Sequence, residues 1–280
     1  MSVFREEVAR GPAAHLLPLL RAAHLGPSVA VTLVVALLAV ATDLEPGSAV
    51  LVVAAVFSGQ LTIGWGNDLV DAARDRAVGR SDKPLAVGEL DRRFVLRCLA
   101  VAAIACVVLS LLAGWRSGLV HLLVGVASGH AYNLGVKATA WSWLPYASAF
   151  GTLPAVVTLA GATPAWPPAW MAATAAALGV GAHFLNALPD LADDARTGVR
   201  GLPHRLGATW SRVLATVLLV GGSLAAVLGP AGAPATWTLA ALGVVVVLGV
   251  VALVGRGKAP FRAAMLIALV DVALLVAVGA

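Results

Sequence analysis

The chain alternates between long apolar stretches and short polar connections over its whole length. Each apolar stretch has about the 20 residues that an α-helix needs to cross the hydrocarbon core of a bilayer. Several connections contain glycine and proline, as in "GATPAWPP" and "GPAGAPAT". The pattern predicts nine transmembrane helices, near residues 26–43, 47–66, 94–113, 117–133, 142–162, 168–188, 208–229, 235–254 and 260–279.

The composition of the chain agrees with this prediction. Of the 280 residues, 60% are hydrophobic and 12% are charged, and the mean hydropathy is +0.92. These values are typical of a polytopic membrane protein. Nine spans and their connections use almost the whole chain, so we expect one all-α transmembrane domain over residues 1–280.

The basic residues indicate how the helices are oriented in the membrane. Eighteen of the 19 Lys and Arg residues precede the first span or lie in even-numbered connections, and Arg116 is the exception. Because basic residues favour the cytoplasmic side, we expect a cytoplasmic N-terminus and an external C-terminus in a cytoplasmic membrane. This asymmetry accounts for the net charge of +5, which therefore indicates no nucleic-acid partner. Frequent Ala, Val, Gly and Arg suggest a bacterial source with GC-rich DNA.

Acidic residues cluster at the cytoplasmic ends of two spans, and each cluster shares one helix face with amide or imidazole side chains. The first set, with successive spacings of seven, four and four residues and Asp68 beside it, is Gln60, Asn67, Asp71 and Asp75. The second set, with spacings of three, four and four, is His183, Asn186, Asp190 and Asp194. The two segments therefore bring similar polar groups to the same membrane surface.

Carboxylates along one helix face repel one another unless positive charge lies among them. Two sets of oxygen ligands without a His/Cys cage suit Mg²⁺, which binds through a few carboxylates and substrate phosphates. Further positive charge is available from Arg74, Lys83, Lys137, Arg196 and Arg205. These residues predict a magnesium-diphosphate site open to the cytoplasm. The alternative is a solvated network of ion pairs at two helix ends.

Four segments resemble those of the UbiA superfamily of intramembrane prenyltransferases. Asn67-Asp68-x-x-Asp71-x-x-x-Asp75 resembles the first aspartate-rich motif of that family. Asp190-x-x-x-Asp194, followed by "LPHRLG", resembles the second. "RSDKP" and "AYNLGVK" are similar to the family's basic-proline stretch and its Tyr/Lys segment. The resemblance implies nine helices around a central chamber, with a polyprenyl diphosphate bound head-first at the cytoplasmic end and its tail among the membrane lipids.

The resemblance also implies roles for individual residues. The magnesium ligands would be Asp68, Asp71 and Asp75 for one ion and Asp190 and Asp194 for another, with Asn67 and Asn186 as ligands or orienting groups. Of these, Asp68, Asp71, Asp190 and Asp194 are the expected catalytic carboxylates. The expected diphosphate contacts are Lys83, Tyr132, Lys137 and Arg205. The residues expected near the acceptor or in the chamber are His24, Gln60 and His183.

Three functions remain open at this point, and the paired motifs favour the first. A prenyltransferase would join the prenyl group to a small lipophilic acceptor, for which we expect an aromatic compound. A terpene cyclase would ionise the same substrate and close its chain, and its lining would be aromatic, whereas aromatic residues make up 6% of this chain. A transport protein would carry charges deep in several spans, whereas here Asp271 alone is deep. We expect Asp271 to be neutral or hydrogen bonded and to face the bundle.

Overall fold

The computed structural model describes residues 13–278, and all regular secondary structure in that range is helical. The helices are α1 (Ala13–Ala22), α2 (Leu25–Ala41), α3 (Pro46–Ala77), α4 (Arg92–Leu112), α5 (Trp115–Val120), α6 (Ala127–Asn133), α7 (Leu144–Gly151), α8 (Leu153–Thr158), α9 (Ala169–Ala187), α10 (Leu191–Arg196), α11 (Leu202–Leu228), α12 (Thr236–Val254) and α13 (Ala259–Val278). A π-helical segment, His121–Val126, joins α5 to α6. Short 3₁₀ turns lie at Val136–Ala138 and Leu188–Asp190. The all-α class predicted from the sequence is confirmed for this range.

Six helices of the described range are long and apolar enough to cross a membrane as single pieces, namely α3, α4, α9 continued by α10, α11, α12 and α13. A seventh candidate is the pair α1 and α2, which is bent by 66°. The predicted spans at 117–133 and 142–162 are also helical, but each is broken into shorter pieces. Nine crossings therefore stay a prediction.

Proline explains one of these breaks. The span predicted at 142–162 is divided into α7, which ends at Gly151, and α8, which begins at Leu153. Pro154 lies in the first turn of α8. Proline has no backbone N–H and fixes its own φ, so it suits the first turn of a helix and interrupts a continuous one. The fifth hydrophobic stretch therefore forms two short helices.

The length of α3 places the first acidic motif outside the membrane core. The helix begins after Glu45, whose carboxylate accepts hydrogen bonds from the backbone N–H groups of Gly47 and Ser48, both at 2.9 Å. It has 32 residues, which corresponds to about 48 Å against a hydrocarbon core of about 30 Å. The last turns of α3, which carry the motif, therefore extend to the surface.

A close contact holds the joint between α1 and α2 against the motif end of α3. The indole N–H of Trp65 donates to the carbonyl of Leu19 at 3.0 Å. A Cβ atom on Gly64 would lie 2.5 Å from the carbonyl oxygen of Ala23, so only glycine allows this approach. His24, at the joint, has a left-handed backbone with φ of 53°. The packing therefore brings His24 to the first motif.

Asp271 is buried in the bundle, on α13, where 1% of its surface is exposed. The hydroxyl of Ser223, on α11, donates a hydrogen bond of 2.8 Å to Oδ2 of Asp271. Oδ1 of Asp271 has no hydrogen-bond partner among the described residues. The expectation that this carboxyl group faces the bundle and is hydrogen bonded is confirmed.

Candidate active site

The three aspartates of the first motif are buried at the end of α3. Asp68, Asp71 and Asp75 expose 1%, 6% and 4% of their surface. Positions separated by three or four residues share a helix face, so the three carboxylates point into the same region. A buried carboxylate needs hydrogen bonds or a positive partner, and each contact of Asp68 and Asp71 meets that need.

Asp71 is the most heavily contacted of these aspartates. The ammonium of Lys137 lies 2.6 Å from both carboxylate oxygens of Asp71. Arg74, one turn later on α3, donates to Oδ2 at 2.9 Å, and the amide of Asn67 donates to the same oxygen at 3.0 Å. Lys137 comes from the short turn after α6, so this contact joins the fourth hydrophobic segment to the motif.

Asp68 forms a second cluster with one side chain from the joint between α1 and α2 and one from the connection after α3. Lys83, in the connection after α3, donates to Oδ1 of Asp68 at 2.7 Å, and Nε2 of His24 lies 3.0 Å from the same oxygen. Lys83 and His24 are themselves 3.0 Å apart. Oδ2 of Asp68 is buried and has no hydrogen-bond partner among the described residues.

The second motif faces the first, and two arginines contact its carboxylates. Arg80 donates to Oδ1 of Asp190 at 3.0 Å across 110 residues of sequence. Arg74, which bonds Asp71, also lies 3.9 Å from Asp194. The structure therefore brings the two motifs together, as the sequence predicts, with the Arg74 side chain between Asp71 and Asp194.

These contacts shift the pKa values of ionisable groups in the connecting loops. Hydrogen bonds from Arg80 lower the pKa of Asp82 to about 2, and the same contact raises the pKa of Arg80. Burial lowers the pKa of Lys137 from its ordinary value, while the adjacent Asp71 carboxylate opposes that shift. Arg80 and Asp82 therefore form an ion pair within this loop, and the contact of Arg80 with Asp190 joins the loop to the second motif.

An aromatic group packs beside the second motif. Tyr146 stacks on Phe150 with ring centres 6.0 Å apart and an interplanar angle of 7°. Tyr132 meets Tyr146 edge-on at 5.2 Å, and His183 lies 4.8 Å from Tyr146. His183 is buried, and its Nε2 is 3.0 Å from the hydroxyl of Ser142. His183 therefore joins α9 to the segment before α7 and lies behind the tyrosines.

The remaining predicted residues lie at the edge of these clusters or away from them. Gln60 is half-buried on α3, two turns before Asn67, and Asn186 is exposed near the end of α9. Arg205 is exposed, and its Nε donates to the carbonyl of Arg200 at 3.2 Å. Among the described residues Arg205 forms no ion pair with either motif, so the structure does not bring it to the carboxylates.

Two contact residues were not singled out from the sequence. Arg80 is the first residue of "RSDKP", the basic-proline stretch, in which Lys83 alone was assigned a contact. Asn133 adjoins Tyr132 and contacts Asn67 at 3.2 Å. An asparagine at the end of a hydrophobic stretch has no distinctive pattern, so only the structure reveals its partner.

The carboxylates have the chemistry of a magnesium site. Within residues 13–278 no three carboxylate, His or Cys side chains are gathered closely enough to hold a metal ion. Lys137, Arg74 and Arg80 lie between the carboxylates instead. Hard oxygen ligands suit Mg²⁺, and the unpartnered, buried Oδ2 of Asp68 is an acceptor of this kind. The residues present therefore fit Mg²⁺ by ligand type.

An apolar cavity lies further along α3, away from the motif. It measures about 670 Å³, opens between α2 and α3, and is lined from Thr32 to Val40 and from Leu44 to Phe57. Phe57 precedes Asn67 by ten residues, which is about 15 Å along a helix. This part of the chain therefore combines a charged helix end with an apolar groove.

Comparison with known proteins identifies relatives of the chain. The model of the UbiA prenyltransferase family matches residues 28–270. No curated protein matches the sequence.

Several solved structures share the fold. A UbiA homologue from Aeropyrum pernix K1 has a TM-score of 0.74 at 15% identity, over 90% of this chain and 98% of that one. A UbiA homologue from Archaeoglobus fulgidus, bound to GPP and Mg²⁺, has a TM-score of 0.68 at 15% identity, over 93% and 99%. A digeranylgeranylglyceryl phosphate synthase has a TM-score of 0.66 at 17% identity, over 94% and 98%.

Proposed function

We propose a function for this chain from its membership of the UbiA prenyltransferase family, to which it belongs. The protein transfers a prenyl group from a polyprenyl diphosphate to a small lipophilic acceptor. Mg²⁺ is the cofactor and diphosphate is the second product. One observation carries the proposal. Arg74 lies 2.9 Å from Asp71 and 3.9 Å from Asp194, so the two acidic motifs face one another across a single cation. Mg²⁺ usually binds through one or two carboxylates together with substrate phosphates, and the two facing acidic sets supply carboxylates of this kind.

The substrate class follows from the charge and polarity of the site. Four basic side chains lie among the carboxylates, namely Arg74, Arg80, Lys83 and Lys137. They suit the oxygens of a diphosphate group. The apolar cavity between α2 and α3 suits an isoprenoid tail. The Archaeoglobus fulgidus homologue bound to GPP and Mg²⁺ supports the same assignment.

The metal ligands we propose are the carboxylates of both motifs, with Asn67 and Asn186 as further ligands or orienting groups. They are Asp68, Asp71, Asp75, Asp190 and Asp194. Bound Mg²⁺ would supply positive charge for the phosphate oxygens as the bond to the prenyl carbon breaks.

The basic residues of the chain act on the leaving diphosphate. Lys83 and Lys137 are held at the site by their carboxylate partners, at 2.7 and 2.6 Å, and their ammonium groups can bond phosphate oxygens from the same positions. They stabilise negative charge that grows as diphosphate leaves, in a region shielded from bulk water. Arg80 takes this role in place of the predicted Arg205, because Arg80 contacts Asp190. Tyr132 stays a proposed hydrogen-bond donor.

The acceptor would capture the allylic cation near the first motif. His24 is part-exposed beside Asp68, and Gln60 is half-buried on the motif face of α3. Both are proposed contacts of the acceptor. The protein is an integral membrane protein, and we place its site on the cytoplasmic side because the basic connections surround it.

A terpene cyclase is the second candidate, and the aromatic group favours it. Aromatic residues are 6% of the chain, yet Tyr132, Tyr146 and Phe150 pack together with His183 beside the second motif. Aromatic faces stabilise a cation that moves along a folding prenyl chain. This aromatic group supports the cyclase as the second candidate.

Product analysis separates transfer from cyclisation. Purified protein in lipid receives Mg²⁺ and prenyl diphosphates of different lengths, with and without lipophilic aromatic acceptors, and mass spectrometry identifies the products. We expect prenylated acceptor, and slow diphosphate release when no acceptor is present. Abundant cyclic terpene without an acceptor would favour the cyclase.

The same assay tests the metal mechanism through paired variants. Asp71→Asn and Asp190→Asn should each abolish turnover in protein that remains folded, because each removes charge that holds the metal and diphosphate in the transition state. The half-buried Asp193, which pairs with Arg196, supplies the matched control Asp193→Asn. Turnover that survives excess chelator would contradict the mechanism.

A further inference from the structure

Asn133 is a buried amide that contacts the first motif from another helix. It is the last residue of α6, and 4% of its surface is exposed. Its Nδ2 donates to the backbone carbonyl of Ile63 at 2.9 Å, and its Oδ1 accepts from Nδ2 of Asn67 at 3.2 Å. Asn133 therefore joins α6 to α3 within one turn of Asn67.

The contact with Ile63 fixes the orientation of the Asn133 amide. A backbone carbonyl only accepts hydrogen bonds, so the NH₂ group of Asn133 must face it. The opposite orientation would place two acceptors together at Ile63 and two donors together at Asn67. Oδ1 of Asn133 consequently faces Asn67 and requires a donor there.

The orientation of Asn67 follows from that of Asn133. One N–H of Asn67 meets Oδ1 of Asn133 at 3.2 Å, and Nδ2 also donates to Oδ2 of Asp71 at 3.0 Å. Both N–H groups of the amide are thus in use. Its Oδ1 lies on the other side of the amide group and accepts no hydrogen bond from the residues that the structure describes. This leaves an amide oxygen available on a half-buried side chain.

Asp71 alone would be a weaker constraint on Asn67. Its carboxylate is a metal ligand in the proposed function, and Lys137 and Arg74 bond the same group. Its hydrogen bonds therefore change when ligands bind. The Ile63 carbonyl belongs to the continuous helix α3 and offers the same acceptor throughout.

We propose that Asn133 is a positioning residue, which orients the Asn67 amide so that Oδ1 of Asn67 is presented as a metal ligand. The inference rests on the proposed function, since it assigns Asn67 to the metal site. Residues that orient a metal ligand through a hydrogen bond, without binding the metal themselves, usually contribute a factor of 10 to 100 to metal affinity. Loss of Asn133 should therefore weaken metal binding without removing any ligand.

The experiment measures Mn²⁺ binding to the purified full-length protein in lipid, without substrate, from the electron paramagnetic resonance signal of free Mn²⁺. Asn133→Leu removes both hydrogen bonds and should raise the dissociation constant about tenfold. Asn67→Asp supplies a carboxylate, which presents an acceptor oxygen in either orientation. In the Asn67→Asp background, Asn133→Leu should change Mn²⁺ affinity by less than about twofold.

A matched control separates orientation from general helix packing. Thr62 and His130 join the same two helices one turn away, with Oγ1 and Nε2 3.3 Å apart. Thr62→Val breaks that link and should leave Mn²⁺ affinity within about twofold. Circular dichroism checks that each variant is folded, and Asn133→Ser takes the place of Asn133→Leu if the latter does not fold.

The outcomes distinguish this inference from the proposed function. Equal loss of affinity from Asn133→Leu in both backgrounds, or no loss in the wild-type background, would overturn the positioning role alone. Absence of Mn²⁺ binding by the wild-type protein would overturn the metal site and the positioning role together. The proposal would be supported if Asn133→Leu lowers Mn²⁺ affinity about tenfold in the protein that retains Asn67 and by less than about twofold in the Asn67→Asp variant.

Discussion

Lys137 should hold Asp71 in competition with the metal, so its removal should affect metal binding and turnover in opposite directions. Its ammonium lies 2.6 Å from both oxygens of Asp71. Two unit charges about 4 Å apart attract by about 4 kcal/mol at the effective dielectric constant of about 20 that suits protein sites. Arg74 and Asn67 remain as partners of Asp71, so we expect about a third of that energy to appear in metal affinity.

Lys137→Met should accordingly tighten Mn²⁺ binding about tenfold, which corresponds to about 1.4 kcal/mol. The same variant should lower turnover by a factor of about 10² to 10³, the usual effect of removing one group that stabilises charge in a transition state. Free Mn²⁺ is measured by electron paramagnetic resonance, and turnover by diphosphate release.

The matched control is Lys258→Met. Lys258 is exposed in the connection before α13, and its substitution changes the net charge by the same amount. It should leave Mn²⁺ affinity and turnover close to those of the wild type. Unchanged or weaker Mn²⁺ binding in Lys137→Met than in Lys258→Met would refute the competition between Lys137 and the metal. Normal turnover in Lys137→Met would refute its contact with diphosphate.

Three further predictions concern topology and stability. Reporters in the 74–92 and 196–207 connections should read as cytoplasmic and one after residue 280 as external; a cytoplasmic C-terminus would contradict nine spans. Ser223→Ala should lower stability by about 1–3 kcal/mol because Asp271 loses its partner, whereas adding Asp271→Leu should recover most of the loss in thermal unfolding. Gly64→Ala should cost about 1–3 kcal/mol, because its Cβ would lie 2.5 Å from Ala23, while Gly243→Ala, which meets open space, should not destabilise.

The helices and the facing motifs could be predicted because their signals are local. The length of an apolar stretch is set by bilayer thickness, so the hydrophobic segments of the structure begin and end near the predicted residues. Within α3, spacings of three and four residues place Asp68, Asp71 and Asp75 on one face whatever the rest of the chain does. The breaks at 121–126 and 151–153 were not predicted, since hydropathy measures composition and not backbone continuity.

The partners of the motif residues could not be predicted in the same way. Arg205 is basic and near the second motif in sequence, yet its side chain bonds Arg200. Arg80 reaches Asp190 across 110 residues. The tyrosines and His183 gather beside the second motif although aromatic residues are few. Composition and sequence position indicate which charged and aromatic side chains the chain contains, but they do not indicate which of these side chains contact one another.

The sequence by itself determined the membrane class, most of the helical segments and the acidic face at the end of α3, because apolar length and helical phase act between neighbouring residues. The second acidic set does not share one continuous helix, since a 3₁₀ turn at Leu188–Asp190 separates α9 from α10. Tertiary structure alone decided that Lys137 covers Asp71, that Arg74 lies between the two motifs, and that Asn133 orients Asn67. Those contacts depend on how separate helices pack and where the loops between them cross. Close approaches such as that of Gly64 and Ala23 set these positions to within a few tenths of an ångström, a precision that no pattern along the chain contains.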